Sequence, residues 1–382
     1  MQLQPQFTEY FNRLIAAFEA ENSGVKVRWV DVPWSDMEKK ILASVSAKTA
    51  PDVVNLNPAF ASLLAGRNAW LDLETKIPET TRSTFFPNIW KASTLNGKSF
   101  GIPWYVTTSI LISNTDLLNK AGITQPPKTF TELATVAKTV KEKTGKYAFF
   151  VSFVPEDSSE VLESFVQMGV SLVDAQGKSA FNTPQGKAVF QYWVDLYKNN
   201  LLPKEVLTQG HRRAIELYQS GETALLSTGP QFLKTIEQNA PSIAKVSVPA
   251  PQITGITGKK SVAVMNLVIP RDSNKGENAL QFALYVTNSD NQLAFAKAAN
   301  VLPSTIASLK DSYFKEAPKG NPADQGRIVS ASQLPDSDIL IPPLQDIQKL
   351  KKAIYENLQA AMLDQKSVDS AIVDAAKSWD SR

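Results

Sequence analysis

Two spacings of apolar residues alternate along the first sixty residues of the chain. Apolar positions at helical spacing predict a helix over residues 6–21, and strict alternation predicts a strand over residues 25–32. The pattern Ser35-Asp-Met-Glu38 is a capping box that opens a second helix, and PDVVNL (51–56) predicts a short strand buried on both faces. This order of helix, strand, helix and strand predicts an α/β fold with a mainly parallel sheet.

The same alternation continues towards the carboxyl terminus. Helices are predicted to begin at Thr129, which forms a second capping box with Glu132, and at Thr183, which precedes a proline at the first helical position. In the second of these helices Trp193 lies on an apolar stripe and is predicted to belong to the core. Residues 275–299 and the last forty residues are also predicted to be helical. Further strands are predicted at residues 109–114, 147–154, 223–229 and 261–270.

The segment GIPWYVTTS (101–109) breaks the alternation. Trp104 and Tyr105 are adjacent, and two threonines follow Val106. A strand that crosses between two domains has no single core to face, so a mixed pattern of this kind is typical of a crossing segment. We therefore predict that this segment is the first crossing between two domains.

Composition excludes several classes of protein. The 382 residues suffice for two or three domains, yet no Pro/Gly/Ser-rich linker separates them. The net charge is +3 and no run of basic residues occurs, which argues against nucleic acid and against a polybasic membrane patch. No cysteine is present, so disulfides, thiolate metal sites and a cysteine nucleophile are excluded. The single histidine, His211, has no accompanying G-x-S-x-G motif and is predicted to lie on the surface.

Several stretches of the chain, in their order and spacing, resemble the solute-binding components of bacterial ABC importers, in the carbohydrate-binding group that includes maltose-binding protein. The longest stretch combines a Gly-Lys turn, a Gly-x-Pro strand, an Asn-x-Asp-Leu-Leu helix start and a Pro-Pro-Lys-Thr segment. The stretches that carry the resemblance are FEAENSGVKVRWVDVPW (18–34), SVSAKTAPDVVNLNP (44–58), LNGKSFGIPWYVTTSILISNTDLLNKAGITQPPKTFTEL (95–133), FNTPQGKAVFQYW (181–193), YQSGETALLSTGP (218–230) and NVLPS (300–304).

The resemblance implies a two-lobed periplasmic-binding-protein fold of type II, with lobes joined by a hinge of several crossings. The amino-terminal lobe is predicted to comprise residues 1–105 plus 263–309, and the carboxyl-terminal lobe residues 106–262 plus 310–382. The resemblance also implies a monomer that is not an enzyme, holds no cofactor or metal, and delivers its solute to a membrane permease from the periplasm or the cell surface. The family begins with a signal peptide and a core strand, whereas MQLQPQFTEY resembles the loop after that strand. We therefore expect a truncated or processed amino terminus that lacks the first strand.

Amide and aromatic side chains follow the predicted strand ends, where ligands of open α/β sheets lie. Flat rings and directional hydrogen-bonding groups suit a sugar or polyol, since each buried hydroxyl needs a partner. By resemblance, position 231 corresponds to a stacking aromatic of maltose-binding protein and position 107 to a carboxylate, so the sugar is expected to differ. The predicted site, in a cleft between the lobes, consists of Gln2, Gln4, Phe7, Trp34, Asn57, Phe60, Trp104, Tyr105, Thr107, Glu156, Gln231 and Asn266.

Two alternatives stay open at the level of the sequence. The first is a solute-binding protein for a polyamine, an iron complex or a peptide; polyamine sites need several carboxylates, and iron sites need tyrosines and often histidine. The second is a glycosidase, which needs paired carboxylates. Asp31, Asp36 and Glu156 form no evident pair in the sequence, which argues against the enzyme.

Overall fold

The computed structural model describes residues 3–317, 321–341, 344 and 346–381, without the side chains of Trp34, Ser35, Glu38 and Ala59. Short 3₁₀ turns occupy Lys204–Leu207, Ser308–Lys310, Ser312–Phe314 and Leu334–Asp336. The helices are α1 (Thr8–Glu21), α2 (Trp34–Ser46), α3 (Pro58–Ala65), α4 (Glu79–Arg82), α5 (Pro87–Lys91), α6 (Thr115–Lys120), α7 (Phe130–Thr144), α8 (Glu160–Gln167), α9 (Pro184–Lys198), α10 (His211–Gln219), α11 (Phe232–Asn239), α12 (Pro241–Ala244), α13 (Gly276–Val286), α14 (Ser289–Ala299), α15 (Pro322–Gln333), α16 (Ile347–Met362) and α17 (Val368–Asp380). The strands are β1 (Val54–Leu56), β2 (Thr94–Leu95), β3 (Lys98–Ser99), β4 (Ile102–Thr108), β5 (Ile110–Asn114), β6 (Leu225–Thr228), β7 (Ser247–Pro251), β8 (Lys260–Val268), β9 (Leu302–Pro303) and β10 (Ser337–Asp338).

The chain divides into two compact units. Unit 1 comprises Met1–Thr107, Val262–Glu316 and Pro342–Gln345, and unit 2 comprises Thr108–Ser261, Ala317–Ile341 and Asp346–Arg382. Strands β4 and β8 each run across a boundary between the units. Among the described residues, no helix is both long and apolar enough to cross a membrane.

Unit 1 is organised around the strand order β1-β8-β4-β9. The edge strand β1 pairs antiparallel with β8 over only three residues. Leu56, Trp70 and Val268 belong to one buried cluster beneath this sheet, and α2 and α3 supply apolar residues to it.

Unit 2 contains the sheet β6-β5-β7, in which the central strand is antiparallel to both neighbours. Side chains alternate between the two faces of a strand, so Leu111, Ser227 and Gln252 share one face of this region. The helices of unit 2 bury apolar stripes, and Trp193 of α9 is 2% exposed, as predicted for a core residue.

Two of the three helix starts predicted from capping patterns are confirmed. The Thr129 hydroxyl accepts a hydrogen bond from the Glu132 N–H at 3.2 Å, and α7 follows as predicted. Thr183 caps α9 in the same way through the Gly186 N–H at 3.1 Å. The cap predicted at Ser35 is wrong, because α2 begins at Trp34 with Pro33 at the cap position, two residues before the predicted cap.

Two predicted strands do not form, and the predicted strand direction is wrong in detail. Residues 25–32 mostly alternate in exposure, with Val30 58% exposed, but they belong to no strand ladder among the described residues. Residues 147–154 are largely buried but form no strand. A single β-bridge, between Tyr147 and Thr223, joins them to the segment that precedes β6. Antiparallel pairing joins β1 to β8, β2 to β3, β4 to β9, and β5 to both β6 and β7, whereas β10 pairs parallel with β8. These ladders differ from the mainly parallel sheets that the helix–strand rhythm predicted.

The unit boundaries differ from the predicted lobe boundaries by two residues at the first crossing and by one residue at the second, and two later segments also differ. Residues 310–316 were assigned to the carboxyl-terminal lobe, but they belong to unit 1. Lys297 of α14 forms an ion pair with Asp311 at 3.0 Å, and the Tyr313 hydroxyl donates to Asn300 at 3.3 Å. These contacts hold the 3₁₀ turns against α14. Residues 342–345 are likewise grouped with unit 1.

Candidate functional site

Three of the predicted site residues form part of an aromatic cluster in unit 1. The Trp104 ring stacks on Phe295 at 4.6 Å, and Tyr105 and Phe7 contact the same ring at 5.3 Å and 5.6 Å. Trp104, Tyr105 and Phe7 are 2%, 5% and 4% exposed, and burial raises the pKa of the Tyr105 hydroxyl to about 12. Sequence reasoning expected one ring of the Trp104–Tyr105 pair to face a ligand, whereas both rings have extensive packing partners inside unit 1.

Asn57 and Phe60 lie together at the start of α3. The Asn57 side chain accepts a hydrogen bond from the Phe60 N–H at 2.8 Å and so caps the helix. Phe60 is partly buried and packs against the apolar cluster of unit 1. Both residues therefore have structural roles in unit 1.

Asn266 is fully buried on β8. Its Oδ1 accepts a hydrogen bond from the Ser93 hydroxyl at 2.5 Å, and its Nδ2 has no partner among the described residues. A Cβ at Gly101 would approach the Asn266 Cβ to 2.9 Å, so glycine at position 101 allows this close contact. Asn266 thus joins β8 to the turn that precedes β2 within unit 1.

The remaining predicted residues of unit 1 are less constrained. Gln4 is exposed and Thr107 is half-buried. Gln2 and the side chain of Trp34 lie outside the described residues.

Glu156 and Gln231 are the predicted site residues in unit 2. Glu156 is exposed in the loop before α8. Gln231 directly precedes α11, and its side-chain amide lies over the α-carbon of Gly229. Its buried Oε1 has no partner among the described residues. Gln231 therefore lies next to Gly229, which itself lines the cavity described below.

Unit 2 encloses a partly open cavity of ≈ 270 Å³ between its sheet and helices α7, α8 and α9. This volume is close to the lower end of small-molecule sites, about 300–1,000 Å³. Apolar lining comes from rings and aliphatic side chains that include Phe130, Phe149 and Trp193. The polar lining residues are Ser109, Ser158, Ser159, Glu160, Glu163, Gln167, His211, Ser227, Thr228 and Gln252.

Helix α8 presents three polar side chains to this cavity. Glu160, Glu163 and Gln167 recur at the spacing of one helix face, so they share the side that lines the cavity. The Glu160 carboxyl is hydrogen-bonded to Ser227, and burial raises its pKa to about 7. Burial also raises the pKa of Glu163, which is hydrogen-bonded to Ser261.

His211 closes one side of the cavity at the start of α10. Its Nε2 lies 3.1 Å from the Thr228 hydroxyl, and its backbone N–H donates to Asp157 at 2.7 Å. Burial lowers the pKa of the His211 imidazole, while the Asp157 carboxylate opposes that shift. The sequence-based prediction of a surface histidine is therefore wrong: the ring is half-buried and bonded at the cavity wall.

A buried amide cluster, formed by Gln252 and Gln333, adjoins the cavity, which Gln252 helps to line. The Gln252 side chain accepts from the Ser261 N–H at 2.7 Å and donates to the Ser261 carbonyl at 3.0 Å. Gln333 Oε1 accepts from the Gln252 N–H at 3.0 Å, and its Nε2 donates to the Ser109 carbonyl at 3.1 Å. These amides fix the ends of β5 and β8 at the points where the chain enters and leaves unit 2.

Sequence reasoning missed Glu160, Glu163, His211, Ser227 and Thr228. The only local signal was the pair of glutamates at i and i+3 in EVLESFVQ, a helix that is apolar at most other positions. Carboxylates at such positions usually face water, so the pattern does not distinguish a solvated face from a cavity wall.

Comparison with known proteins identifies the family to which the chain is similar. The profile of the bacterial extracellular solute-binding protein family matches residues 4–293. A provisionally assigned oligosaccharide periplasmic-binding protein from Synechococcus sp. MITs9220 is 42% identical, with a TM-score of 0.93 over 100% of this chain and 97% of that chain. The diacetylchitobiose-binding protein of Streptomyces coelicolor is 24% identical over 93% of this chain and 82% of that protein.

A more distant solved structure has the same fold. The cyclic α-maltosyl-1,6-maltose binding protein of Arthrobacter globiformis is 21% identical, with a TM-score of 0.84 over 99% of this chain and 96% of that chain. The family profile covers well over half of the residues and by itself shows the family. The chain belongs to the bacterial extracellular solute-binding proteins.

Proposed function

We propose that this chain captures a neutral sugar or polyol and delivers it to the membrane permease of an ABC importer. The observation that carries the proposal is the cavity of unit 2, which is lined both by aromatic and aliphatic side chains and by hydroxyl, amide and carboxyl groups. A sugar has C–H faces and a rim of hydroxyls, so it needs both kinds of surface at once.

The charge of the cavity also supports a neutral solute. Among the described residues, no arginine lines it, and burial raises the pKa values of its two lining carboxyl groups, that of Glu160 to about 7. Hydroxyl and amide groups form directional hydrogen bonds without the large desolvation cost of a buried charge.

The named relatives agree with a carbohydrate. One binds diacetylchitobiose, and the protein with 42% identity is described as an oligosaccharide-binding protein. That protein has also been crystallised in complex with zinc. In the described part of the present chain, no group of three or more His, Cys, Asp or Glu side chains is placed to hold a metal ion.

A ligand-dependent melting screen tests the proposal. Maltose, trehalose, mannitol and spermidine serve as probes. A probe at a hundred times its dissociation constant adds about 2.7 kcal/mol to the free energy of unfolding. With an unfolding entropy of about 2.1 cal/mol/K per residue, a chain of this length should melt about 3 °C higher. A shift with maltose, trehalose or mannitol is expected.

Matched variants connect the shift to the cavity. Thr228→Val removes a lining hydroxyl and should reduce the shift. Thr223→Val removes a buried hydroxyl of the adjoining segment that has no partner among the described residues and lies off the cavity lining, so it should leave the shift unchanged. A shift with spermidine alone would replace the sugar with a polyamine, and hydrolysis of maltose would replace the binding protein with an enzyme.

A further inference from the structure

Helix α8 carries two carboxyl groups where a stable core would carry apolar side chains. Val161, Leu162 and Phe165 of the same helix are fully buried. Glu160 and Glu163, one helical turn apart, line the cavity instead. Burying a carboxylate without a counter-charge is costly, so each of these groups needs either a partner or a proton.

Glu163 has both a hydrogen-bond partner and a nearby cation. Its carboxyl is hydrogen-bonded to Ser261 and is attracted by the Lys351 ammonium of α16. Gln252 holds both backbone groups of Ser261. Glu163 is therefore part of the network that fixes the end of β8.

Glu160 has a different environment. Its hydrogen-bond partner is the Ser227 hydroxyl, and the charges that act on it, from Glu163 and Asp157, are both negative. The first turn of a helix favours a carboxylate through the helix dipole. Burial and the two negative neighbours outweigh that effect here.

The other titratable groups around the cavity do not neutralise Glu160. Lys351 Nζ donates to the Asp157 carbonyl at 3.3 Å, and the carboxylates that act on it are Asp157, Glu156 and Glu163. His211 is bonded to Thr228, and burial lowers its pKa. Tyr355 of α16 donates to the Ser158 carbonyl at 2.9 Å, and burial keeps that phenol uncharged by raising its pKa. Within the described residues, Glu160 thus faces the cavity without a cation.

The two protonation states of Glu160 offer different chemistry to a solute. A carboxylate only accepts hydrogen bonds, whereas the acid both donates and accepts, as a sugar hydroxyl does. A neutral solute also brings no positive charge to offset a carboxylate in this partly apolar cavity. We propose that Glu160 is a specificity-determining residue that hydrogen-bonds a hydroxyl of a neutral sugar or polyol as the uncharged carboxylic acid. This inference rests on the proposed function of the chain.

Binding should therefore weaken as the pH rises through neutrality. With a pKa of about 7, the acid form of Glu160 falls roughly tenfold between pH 6 and pH 8. The dissociation constant of the wild-type protein for the sugar or polyol that binds best among maltose, trehalose and mannitol should rise by about the same factor. Burial lowers the pKa of the His211 imidazole, which displaces its titration towards lower pH.

The decisive experiment is calorimetric titration of that probe at pH 6, 7 and 8. Glu160→Gln imitates the acid, and it should bind at pH 8 about as tightly as the wild type binds at pH 6, with less than a twofold change across the range. Glu163→Gln is the matched control. It should keep a pH dependence whose midpoint lies at lower pH, since it removes a negative neighbour of Glu160.

A second readout needs no variant. At pH 8 the wild type should take up about 0.9 proton for each solute bound, as measured in two buffers of different ionisation enthalpy. If a sugar or polyol binds without proton uptake, or if Glu160→Gln loses affinity at every pH while its circular dichroism is unchanged, the inference is overturned and the proposed function stands. If none of the three neutral probes binds the wild type at any pH, the proposed function fails and the inference fails with it.

Discussion

Replacing Trp104 by alanine tests whether this residue serves folding or solute binding. The ring is 2% exposed, stacks on Phe295 with an interplanar angle of 25°, and makes edge contacts with Tyr105 at 5.0 Å and Phe11 at 5.8 Å. Truncating a buried tryptophan to alanine typically costs about 3–5 kcal/mol. Each favourable aromatic pair contributes about 0.5–1.5 kcal/mol beyond its buried area, so we expect a loss in the upper part of that range.

The assay must distinguish the two units, because a chain with two compact units need not unfold in a single step. Hydrogen exchange followed by mass spectrometry gives opening free energies for peptides of each unit. Trp104→Ala should lower these values in peptides from residues 3–107 and 262–316 and leave those of unit 2 nearly unchanged. Trp193→Ala is the matched control, because Trp193 is equally buried in unit 2, where its ring contacts Phe153 at 5.7 Å.

Trp104→Phe provides an intermediate case. A phenyl ring keeps the contact with Phe295 and removes the indole N–H, which has no hydrogen-bond partner among the described residues. Its cost should be well below that of alanine. If Trp104→Ala changed the stability of unit 1 by less than about 1 kcal/mol while abolishing solute binding, the packing argument would be refuted. The sequence-based interpretation of Trp104 as a ligand contact would then be preferred.

Three further predictions concern the protein without solute. Burial holds a proton on folded Glu160 between pH 4.5 and about pH 7, so the cost of its carboxylate to the free energy of unfolding grows across that interval. In urea unfolding, Glu160→Gln should therefore stabilise the protein by up to about 3 kcal/mol at pH 8 and by little at pH 5. Equal stabilisation at the two pH values would contradict the raised pKa. Gly186→Ala should destabilise the chain by at least about 1–3 kcal/mol, because the added Cβ overlaps the Phe181 carbonyl oxygen. Gly276→Ala meets no atom within 4 Å and should stabilise by about 0.4–1 kcal/mol, so similar melting temperatures for the two alanine variants would disprove this reasoning. Thr129→Ala should cost about 1 kcal/mol by removing the cap of α7, and Thr129→Ser should restore most of it in the same urea assay.

Helix ends were predictable because the interactions that define them are local. The cap of α7 joins residues three apart, and the proline that starts α9 follows its cap directly. Such contacts form whenever the helix forms, so the sequence pattern carries them. The family was predictable for a different reason, since the order of many such local elements is preserved along the chain.

The strands over residues 25–32 and 147–154 could not be predicted with the same certainty. The first segment alternates in exposure and the second is largely buried, as their patterns predict. A strand ladder also needs a second segment at hydrogen-bonding distance, and no local pattern specifies that segment. The strand directions follow from the same non-local choice, which is why the antiparallel ladders of β5 differ from the predicted parallel sheet.

The sequence by itself determined the class of fold, the family, the main helices and the burial of Trp193. The tertiary structure alone decided that Trp104 packs on Phe295 and that Glu160 and Glu163 line a cavity with His211. The physical reason is that the partners of these side chains are distant in sequence. Phe295 lies on α14, Ser227 on β6 and Lys351 on α16, and only folding brings them within reach of the residues whose burial, charge and hydrogen bonding they set.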